Sequence, residues 1–542
     1  MIVKISRTLI ATVVAMSLAS PLLAAQAAEE RSLNELRNTV VNLLQALVQK
    51  GVLTREQAEA MVKSAQDKAV ADAAAIEQQE KAEAGAVRVP YVPEVVKEEI
   101  RKEVADQLAP EVTKQVVAEA KAEKWGVPGA LPDWIERITL GGDMRVRLES
   151  DRFPASNPQN AYLNFNAINA AGGFSRAGNA AFLNTSIDRN YLLARLRIDL
   201  NAQLKSGWSV GARLATGTLV NPDSTNQVLG QYGGRYQTDI DLAYIKWSGG
   251  TRSGRQKLTV WGGKFPNPFL SSDLVWDTDV NFEGAALNYQ LGLGRNPKTP
   301  YYWFTNVGAL PVQEIALSSN DKWLYAGQTG FDFHSAAGSR LRFGVAYYDF
   351  SHVVGQLNTP ESNLLDYTAP TYVQKGNTLF DIRNTQDRTQ NLFALASAYR
   401  ELDVMLATDL MVSASYRLGF YLDYVKNLGY DESAVSARVG TDVAPRVKGY
   451  QSELSFGTPN LDHGGAWHAF VGYRYLQRDA VIDAFTDQDY HLGGTDAKGY
   501  FVGADVSLTD RVWARARYLP FDAIDGPPLA IDVWQLEINA RF

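Results

Sequence analysis

From Arg137 to the last residue, apolar and polar side chains alternate with a period of two in one segment after another. In residues 192–204, Leu, Ala and Ile occupy the even positions, while Arg195, Arg197 and Asp199 occupy odd positions between them. The final segment repeats the pattern, with Trp534 and Phe542 in the apolar register. Because successive side chains of a strand point to opposite faces, each segment predicts a β-strand with one apolar and one charged face.

Alternation alone is found both in soluble sandwiches and in membrane barrels. Three features favour the barrel. Several segments reach roughly eleven residues, longer than the usual five or six of soluble strands. The polar face carries full charges, arginine above all, and aromatic residues such as Tyr301, Tyr302 and Trp303 cluster near strand ends. We therefore predict an all-β transmembrane barrel of roughly sixteen antiparallel strands, wide enough for an aqueous channel.

The connections between the predicted strands alternate between long and short, as in membrane barrels with long external loops and short periplasmic turns. The long ones are 151–188, 217–235, 265–279, 351–389, 428–446 and 480–497. The short ones include 205–207, 335–338, 405–409 and 509–511. With an even number of strands, both chain ends then lie on the periplasmic side. One of the two longest loops, 151–188 or 351–389, is expected to fold into the barrel and narrow it.

The N-terminal part has a different composition. Lys4 and Arg7 precede a short apolar core and the small-residue motif Ala25-Gln26-Ala27, which together predict a secretory signal peptide over residues 1–27. Residues 28–124 show helical spacing of apolar side chains and predict a periplasmic α-helical, coiled-coil extension. It is either a solvated spacer or a coiled coil that sets the oligomeric state or meets another envelope component. Residues 125–136 form a linker, and 137–542 form the barrel.

Charge and cysteine content exclude other classes. The chain has 53 Lys and Arg against 60 Asp and Glu, a net charge of −7, which gives no support to nucleic-acid binding. Cysteine is absent, as suits an exported protein that avoids thiols in an oxidising compartment. Five histidines and no cysteine fall short of a zinc or copper site, and no motif of a hydrolase, protease or nucleotide-binding enzyme occurs. We predict no catalytic residues, no cofactor and no metal.

The charged residues in the inward register are the candidates for lining a pore. Each arginine among them either lines water and pairs with an inward carboxylate, or belongs to a basic strip that favours anions. Asp143 and Glu149 share this face and need no catalytic explanation. The candidates are Arg145, Arg147, Arg195, Arg197, Arg213, Arg342, Arg417, Arg515, Arg517, Arg541, Asp143 and Asp199.

Three motifs carry a family resemblance. The segment Gly142-Asp143-Met144-Arg145-Val146-Arg147-Leu148-Glu149 resembles the first strand of a family of bacterial putative porins. Residues 48–58 are similar to the helical hairpin that precedes the barrel in that family, and residues 263–269 to its Lys-Phe-Pro-Asn-Pro-Phe region. The resemblance spans the mature chain and implies an outer-membrane pore of uncharacterised selectivity.

The function expected from these observations is passive diffusion of small hydrophilic solutes or ions across the outer membrane of a Gram-negative cell. The alternative is an envelope tether, in which the N-terminal helices bind a periplasmic partner or peptidoglycan and the barrel is an anchor. The expected partners are outer-membrane lipid, the barrel-assembly machinery through the terminal Phe542, and further copies of the chain in a homotrimer.

Overall fold

The computed structural model describes residues 137–218, 220–294, 300–316 and 318–542, together with residues 59–60, 63–64 and 67–68. Those few positions before residue 69 are helical and exposed, and they belong to a separate compact unit, Met1–Val116. The predicted signal peptide, the linker and most of the predicted helical extension lie outside the described residues. No helix in the described ranges is both long and apolar enough to cross a membrane.

The unit Val117–Phe542 is built around one closed antiparallel sheet. Strands β1 and β19 pair with each other, and every wall strand pairs with its sequence neighbours in the wall. The strands of the described residues are β1 (Ile138–Arg152), β2 (Arg189–Gln203), β3 (Trp208–Thr216), β4 (Gln227–Val228), β5 (Thr238–Gly250), β6 (Gln256–Pro266), β7 (Asn281–Gly292), β8 (Tyr301–Gln313), β9 (Lys322–His334), β10 (Arg340–Ser351), β11 (Leu379–Asp381), β12 (Phe393–Leu395), β13 (Arg400–Met411), β14 (Arg417–Asn427), β15 (Lys448–Gly457), β16 (Trp467–Leu476), β17 (Ala497–Ser507), β18 (Val512–Ala523) and β19 (Ala530–Arg541).

Sixteen of these strands form the barrel wall, which confirms the predicted architecture. The other three are short loop strands: β4 extends the wall beside β2, and β11 pairs only with β12. The loops in the described ranges also contain three short α-helices. These are α1 (Phe165–Ala171), α2 (Phe174–Ala177) and α3 (Glu432–Val439).

The two faces of the wall divide as the period-two pattern predicts. Leu192 on β2 and Leu536 on β19 point outward and are 46% and 55% exposed, as expected for side chains that meet lipid. Their polar neighbours point inward: Arg147 is 1% exposed and Gln535 is fully buried. Such burial exceeds what a wide water-filled lumen allows, so other parts of the chain must fill the interior.

The connections also alternate in length. At one end of the barrel, which we call the loop end, lie the long connections, the longest of which are 153–188 and 352–399. The opposite end, the turn end, carries short turns such as 204–207, together with the start of β1 and the end of β19. The turn predicted at 405–409 was wrong, because these residues lie within β13 and the chain turns at 412–416. The sequence alternates in phase from 410 to 424 and so predicts one strand there, but this range comprises the end of β13, the turn and the start of β14.

Three loops fold into the loop half of the barrel and build a core there. They are the β6–β7 loop (267–280), part of the β10–β13 loop (352–399) and the β16–β17 loop (477–496). Their apolar side chains pack against wall residues; Trp276, for example, contacts Phe350 and Tyr348. The β10–β13 loop was one of the two candidates for an inward loop, whereas the β6–β7 and β16–β17 loops were not expected to enter.

Candidate functional site

The β6–β7 loop folds into the interior and contacts the wall beyond the two strands that it connects. It leaves the wall after Pro266 and returns to it at Asn281. Near its start, the backbone amide of Leu270 donates to the side-chain oxygen of Gln328 on β9 at 2.8 Å. The side-chain nitrogen of Gln328 donates to the carbonyl oxygen of Leu270 at 2.7 Å. Two residues later, Ser272 donates from its amide and its hydroxyl to one carboxylate oxygen of Asp423 on β14, at 2.9 and 2.6 Å. Four strands lie between β7 and β14 in the wall, so the loop contacts wall strands well away from the two that it connects.

The next residue of the loop, Asp273, holds three further groups. Its carbonyl oxygen accepts a hydrogen bond from the Arg474 guanidinium on β16 at 3.1 Å. Its carboxylate accepts one from Gln451 on β15 and one from the Tyr490 hydroxyl at 3.2 Å. These contacts fix the middle of the loop, so the interior at this level is narrower than the wall alone would make it.

On the opposite side of the interior, strands β1, β2 and β18 present a group of arginines. Arg145 and Arg195 are register partners on adjacent strands and lie directly opposite each other. Five of the predicted arginines lie together here, in or next to a cavity of about 260 Å³. They are Arg145, Arg147, Arg195, Arg515 and Arg517, and Arg197 lies beside them through its contact with Asp279.

The arginines are paired with carboxylates of both wall and loops. Asp143 accepts hydrogen bonds from Arg195 and Arg197, both at 2.8 Å. Arg515 makes two bonds to Asp505, at 2.6 and 3.0 Å. Arg145 is the exception, because it bonds the amide oxygen of Asn226 at 2.6 Å, and the carboxylate of Glu537, its only ion-pair partner among the described residues, is 3.9 Å away. The group therefore has a network of ion pairs and one under-compensated guanidinium.

Arg147 and Asp489 join the wall to the β16–β17 loop. Arg147 donates to Asp489 at 2.6 Å and to Glu537 at 2.7 Å, and Arg517 also bonds Asp489. Burial by itself would raise the pKa of Asp489, but the charges of Arg147 and Arg517 lower that pKa well below its usual range. Asp489 is therefore ionised at neutral pH, and it bridges two arginines from different strands.

Facing the arginines, three loops bring aspartates together. Asp223 comes from the β3–β5 loop (217–237), Asp277 from the β6–β7 loop and Asp487 from the β16–β17 loop. Burial, followed by the charges of Asp489 and Asp273, raises the pKa of Asp487 to about 7. Burial and the charge of Asp487 raise the pKa values of Asp223 and Asp277 as well. These carboxylates repel each other, and their pKa values are raised, whereas that of Asp489 is lowered.

The 260 Å³ cavity thus has arginines of the wall on one side and aspartates of the loops on the other. Two further cavities lie in the loop half. One of about 450 Å³ shares Arg147, Ser224 and Asp489 with the central cavity. The other, of about 540 Å³, shares Ser224 and Asp279 with it. The central cavity is therefore adjacent to both of the larger ones.

The remaining predicted residues lie away from this centre. Arg213 bonds Asp241 at 2.5 Å on the inner face, Arg342 and Asp199 face inward on β10 and β2, and Arg417 is 3.4 Å from Asp409 near the turn end. Arg541 bonds carbonyl oxygens of turns, those of Leu461 and Asp510, and so lies at the rim. Phe542 is 55% exposed, and its backbone exchanges hydrogen bonds with Gly142 at 3.0 and 3.1 Å.

Sequence reasoning missed the loop residues of the site. Asp223, Asp277, Asp487 and Asp489 lie in loops without strand periodicity, and nothing local distinguishes them from ordinary loop aspartates. The sequence Asp487-Gln488-Asp489 within a long connection was the one available signal. Despite the density of carboxylates, no group of three or more His, Cys, Asp or Glu residues in the described ranges has the geometry of a metal site.

A family model described as "Putative porin" matches residues 37–542. Among solved structures, a high-pH structure of OprB from Pseudomonas putida has 11% sequence identity and a TM-score of 0.42, covering 77% of this chain and 97% of that one. The outer-membrane channel DcaP of Acinetobacter baumannii has 13% identity and a TM-score of 0.37, covering 75% and 97%. We found no significant match among curated protein sequences.

Proposed function

The chain belongs to the putative porin family and is an outer-membrane channel protein in that general sense, and from this premise we propose that it passes small hydrophilic solutes or ions by passive diffusion. One observation carries the proposal. The polar central cavity of about 260 Å³ lies between arginines of the wall and aspartates of the loops, and it shares lining residues with both larger cavities of the loop half. A solute that enters at the loop end meets these charges on its way through the barrel.

The pairing of the arginines bears on selectivity. A basic strip sets a strong anion preference only when its charges are not neutralised locally. Here Asp143, Asp489 and Asp505 lie within hydrogen-bond distance of the arginines, so the interpretation in which they pair with inward carboxylates has the better support. We expect weak anion selectivity, to which Arg145 contributes most.

Single-channel recording of the refolded chain in a planar bilayer tests the proposal. We expect stable conductance steps, and a salt gradient should give a small reversal potential of the sign expected for anions. Folding is checked independently by the shift of the band on an unheated electrophoresis gel. If a folded barrel shows no conductance, the diffusion proposal is wrong. A large reversal potential of either sign would contradict weak selectivity.

The proposal also covers the location and the ends of the chain. We place the loop end outside the cell and the turn end, with both chain ends, in the periplasm. Phe542 is proposed as the signal for the barrel-assembly machinery, and its outward position at the seam between β19 and β1 supports this.

The tether alternative rests on helices outside the described residues. Deletion of residues 29–124 distinguishes the two, because a pore keeps its conductance without them.

A further inference from the structure

The 540 Å³ cavity of the loop half, which we call the loop-end cavity, has an aromatic and aliphatic surface as part of its lining. It lies between the inward loops and the upper ends of β3 to β10. Trp276, Phe350 and Leu310 are each at least 95% buried and line it, and Phe485 stacks on Phe350 at 6.1 Å between ring centroids. Because the interior of a membrane barrel that conducts water is normally polar, an aromatic cavity there requires an explanation.

A buried ammonium group lies at the edge of the same cavity. Lys322, the first residue of β9, is 3% exposed and donates to the side-chain oxygen of Gln313 at 2.8 Å and to the carbonyl oxygen of Ala369 at 2.7 Å. Both acceptors are neutral, and across the part of the chain that the structure describes no carboxylate forms an ion pair with Lys322. An ammonium has three N–H donors, so one of them remains available to a ligand. A buried charge without a counter-charge is unfavourable, which makes this position attractive to an anion.

The other charged groups of the cavity differ from Lys322. Lys264 is 37% exposed and pairs with Glu283 at 3.1 Å. The carboxylates of Asp241 and Asp279 are compensated by Arg213 at 2.5 Å and by Arg197 at 3.0 Å. Asp239 is only half-buried, so water and salt screen its charge. The charge that a ligand can neutralise is therefore the positive charge of Lys322.

We infer that the loop-end cavity binds a small organic carboxylate with an aromatic or otherwise apolar body, whose carboxylate pairs with Lys322. The apolar body lies against Trp276, Phe350 and Phe485. The volume falls in the range of about 300–1,000 Å³ that is typical of small-molecule sites. The inference rests on the proposed channel function and deepens it by naming a class of solute that is retained near the loop end before it diffuses onward. Sugars lack the charge and inorganic anions lack the apolar body.

Calorimetric titration of the refolded full chain with phenylacetate tests this, because binding is measured without any conductance. We expect saturable one-site binding by the wild type. Acetate lacks the ring and benzyl alcohol lacks the charge, so both should bind at least roughly tenfold more weakly. A folded chain that conducts but does not bind phenylacetate would overturn the inference and leave the channel proposal intact. A folded chain that binds phenylacetate but does not conduct would support this binding site and contradict the channel proposal.

The substitution Lys322→Met removes the charge and keeps the length of the side chain. It should weaken phenylacetate binding roughly tenfold or more, since a hydrogen bond to a charged group is lost. The matched control is Lys264→Met, which removes a lysine from the same cavity and should change the affinity less than about twofold. Equal affinities in the two variants would overturn the assignment to Lys322.

A conservative variant keeps the test decisive if Lys322→Met does not fold. Lys322→Arg retains the positive charge, and its affinity for phenylacetate should be within a few-fold of the wild-type value. A second variant, Phe485→Ala, changes only a loop side chain of the aromatic wall. Phe485→Ala should weaken phenylacetate binding but leave the weak binding of acetate unchanged. If Phe485→Ala weakens neither, the ligand does not lie in this cavity and the inference fails.

Discussion

Ser272 donates two hydrogen bonds to the same carboxylate oxygen of Asp423, from its amide at 2.9 Å and from its hydroxyl at 2.6 Å. Asp423 itself is fully buried on the wall strand β14. This pair of bonds attaches the β6–β7 loop to a wall strand that five other strands separate from β6, where the loop begins. Hydrogen bonds to charged groups contribute about 1.5–3 kcal/mol each, so the attachment is strong enough to hold the loop in place.

Asp423→Ala should release this attachment. Both bonds from Ser272 are lost, and we expect the β6–β7 loop to leave its position for part of the time. Single-channel recordings should then show larger and noisier current steps than those of the wild type. The control is Asp321→Ala, which removes a loop carboxylate whose bond to the Ile315 amide, 2.8 Å long, stays within the 314–321 loop. Identical recordings from the two variants would show that the β6–β7 loop does not limit the current.

Arg147→Gln should destabilise the barrel strongly. The substitution leaves Asp489 and Glu537 buried beside a neutral side chain, and breaking a buried ion pair from one side costs about 3–5 kcal/mol. The remaining negative charge should also move the reversal potential toward cations. Denaturant unfolding and bilayer recording measure the two effects.

The matched control for that prediction is Arg342→Gln. Arg342 also lies on the inner face of the wall, but no ion pair of this residue occurs within the described ranges. We expect its unfolding midpoint to stay close to that of the wild type. If both variants lose the same stability, the contacts of Arg147 have no special role.

The selectivity of the channel should depend on pH through Asp487. Because the pKa of this buried carboxyl is raised to about 7, it is mostly neutral at pH 5 and mostly ionised at pH 8. Cation permeability relative to anion permeability should therefore rise between these values. The protonated form of Asp487 also contributes to the stability of the fold, and this contribution is fully present at a pH below the ordinary pKa of an aspartate. It is lost by up to about 1.4 kcal/mol per pH unit as the pH rises toward 7.

Asp487→Asn checks this assignment, because the amide cannot ionise. We expect a smaller change of reversal potential between pH 5 and 8, with the remainder due to Asp223 and Asp277, whose pKa values are also raised. The control variant Asp321→Asn, in the 314–321 loop, should behave like the wild type. An unchanged pH dependence in Asp487→Asn would rule out Asp487 as the main titrating group.

Gly142 should tolerate no side chain at the seam of the barrel. A Cβ atom there would lie 2.3 Å from the Arg197 carbonyl oxygen and 2.6 Å from the Phe542 ring. Gly142→Ala should therefore reduce the free energy of unfolding by about 1–3 kcal/mol, the usual effect of overpacking. The control Gly327→Ala, in β9, places a Cβ with no atom within 4 Å. Denaturant unfolding of both variants decides the prediction, and equal midpoints would contradict it.

Strand positions were predictable because their signal is local. The period of two assigned Arg145, Arg147 and Arg195 to the inner face before any pairing was known, and the structure places them there. Residues 405–416 show the limit of this signal. The alternation continues in phase through the turn at 412–416, so two strands looked like one longer segment with a turn in the wrong place.

The barrel could be predicted from the sequence, because alternation, strand length and connection length are properties of neighbouring residues. The loops that fill the barrel and the charges that pair inside it could be read only from the three-dimensional structure. Ser272 and Asp423 are 151 residues apart, and Arg147 and Asp489 are separated by 342. Such contacts depend on how the whole wall closes, and neither the loop residues nor their partners carry a local pattern that announces them. The fold follows from short-range periodicity, whereas the channel interior follows from long-range ion pairs and hydrogen bonds.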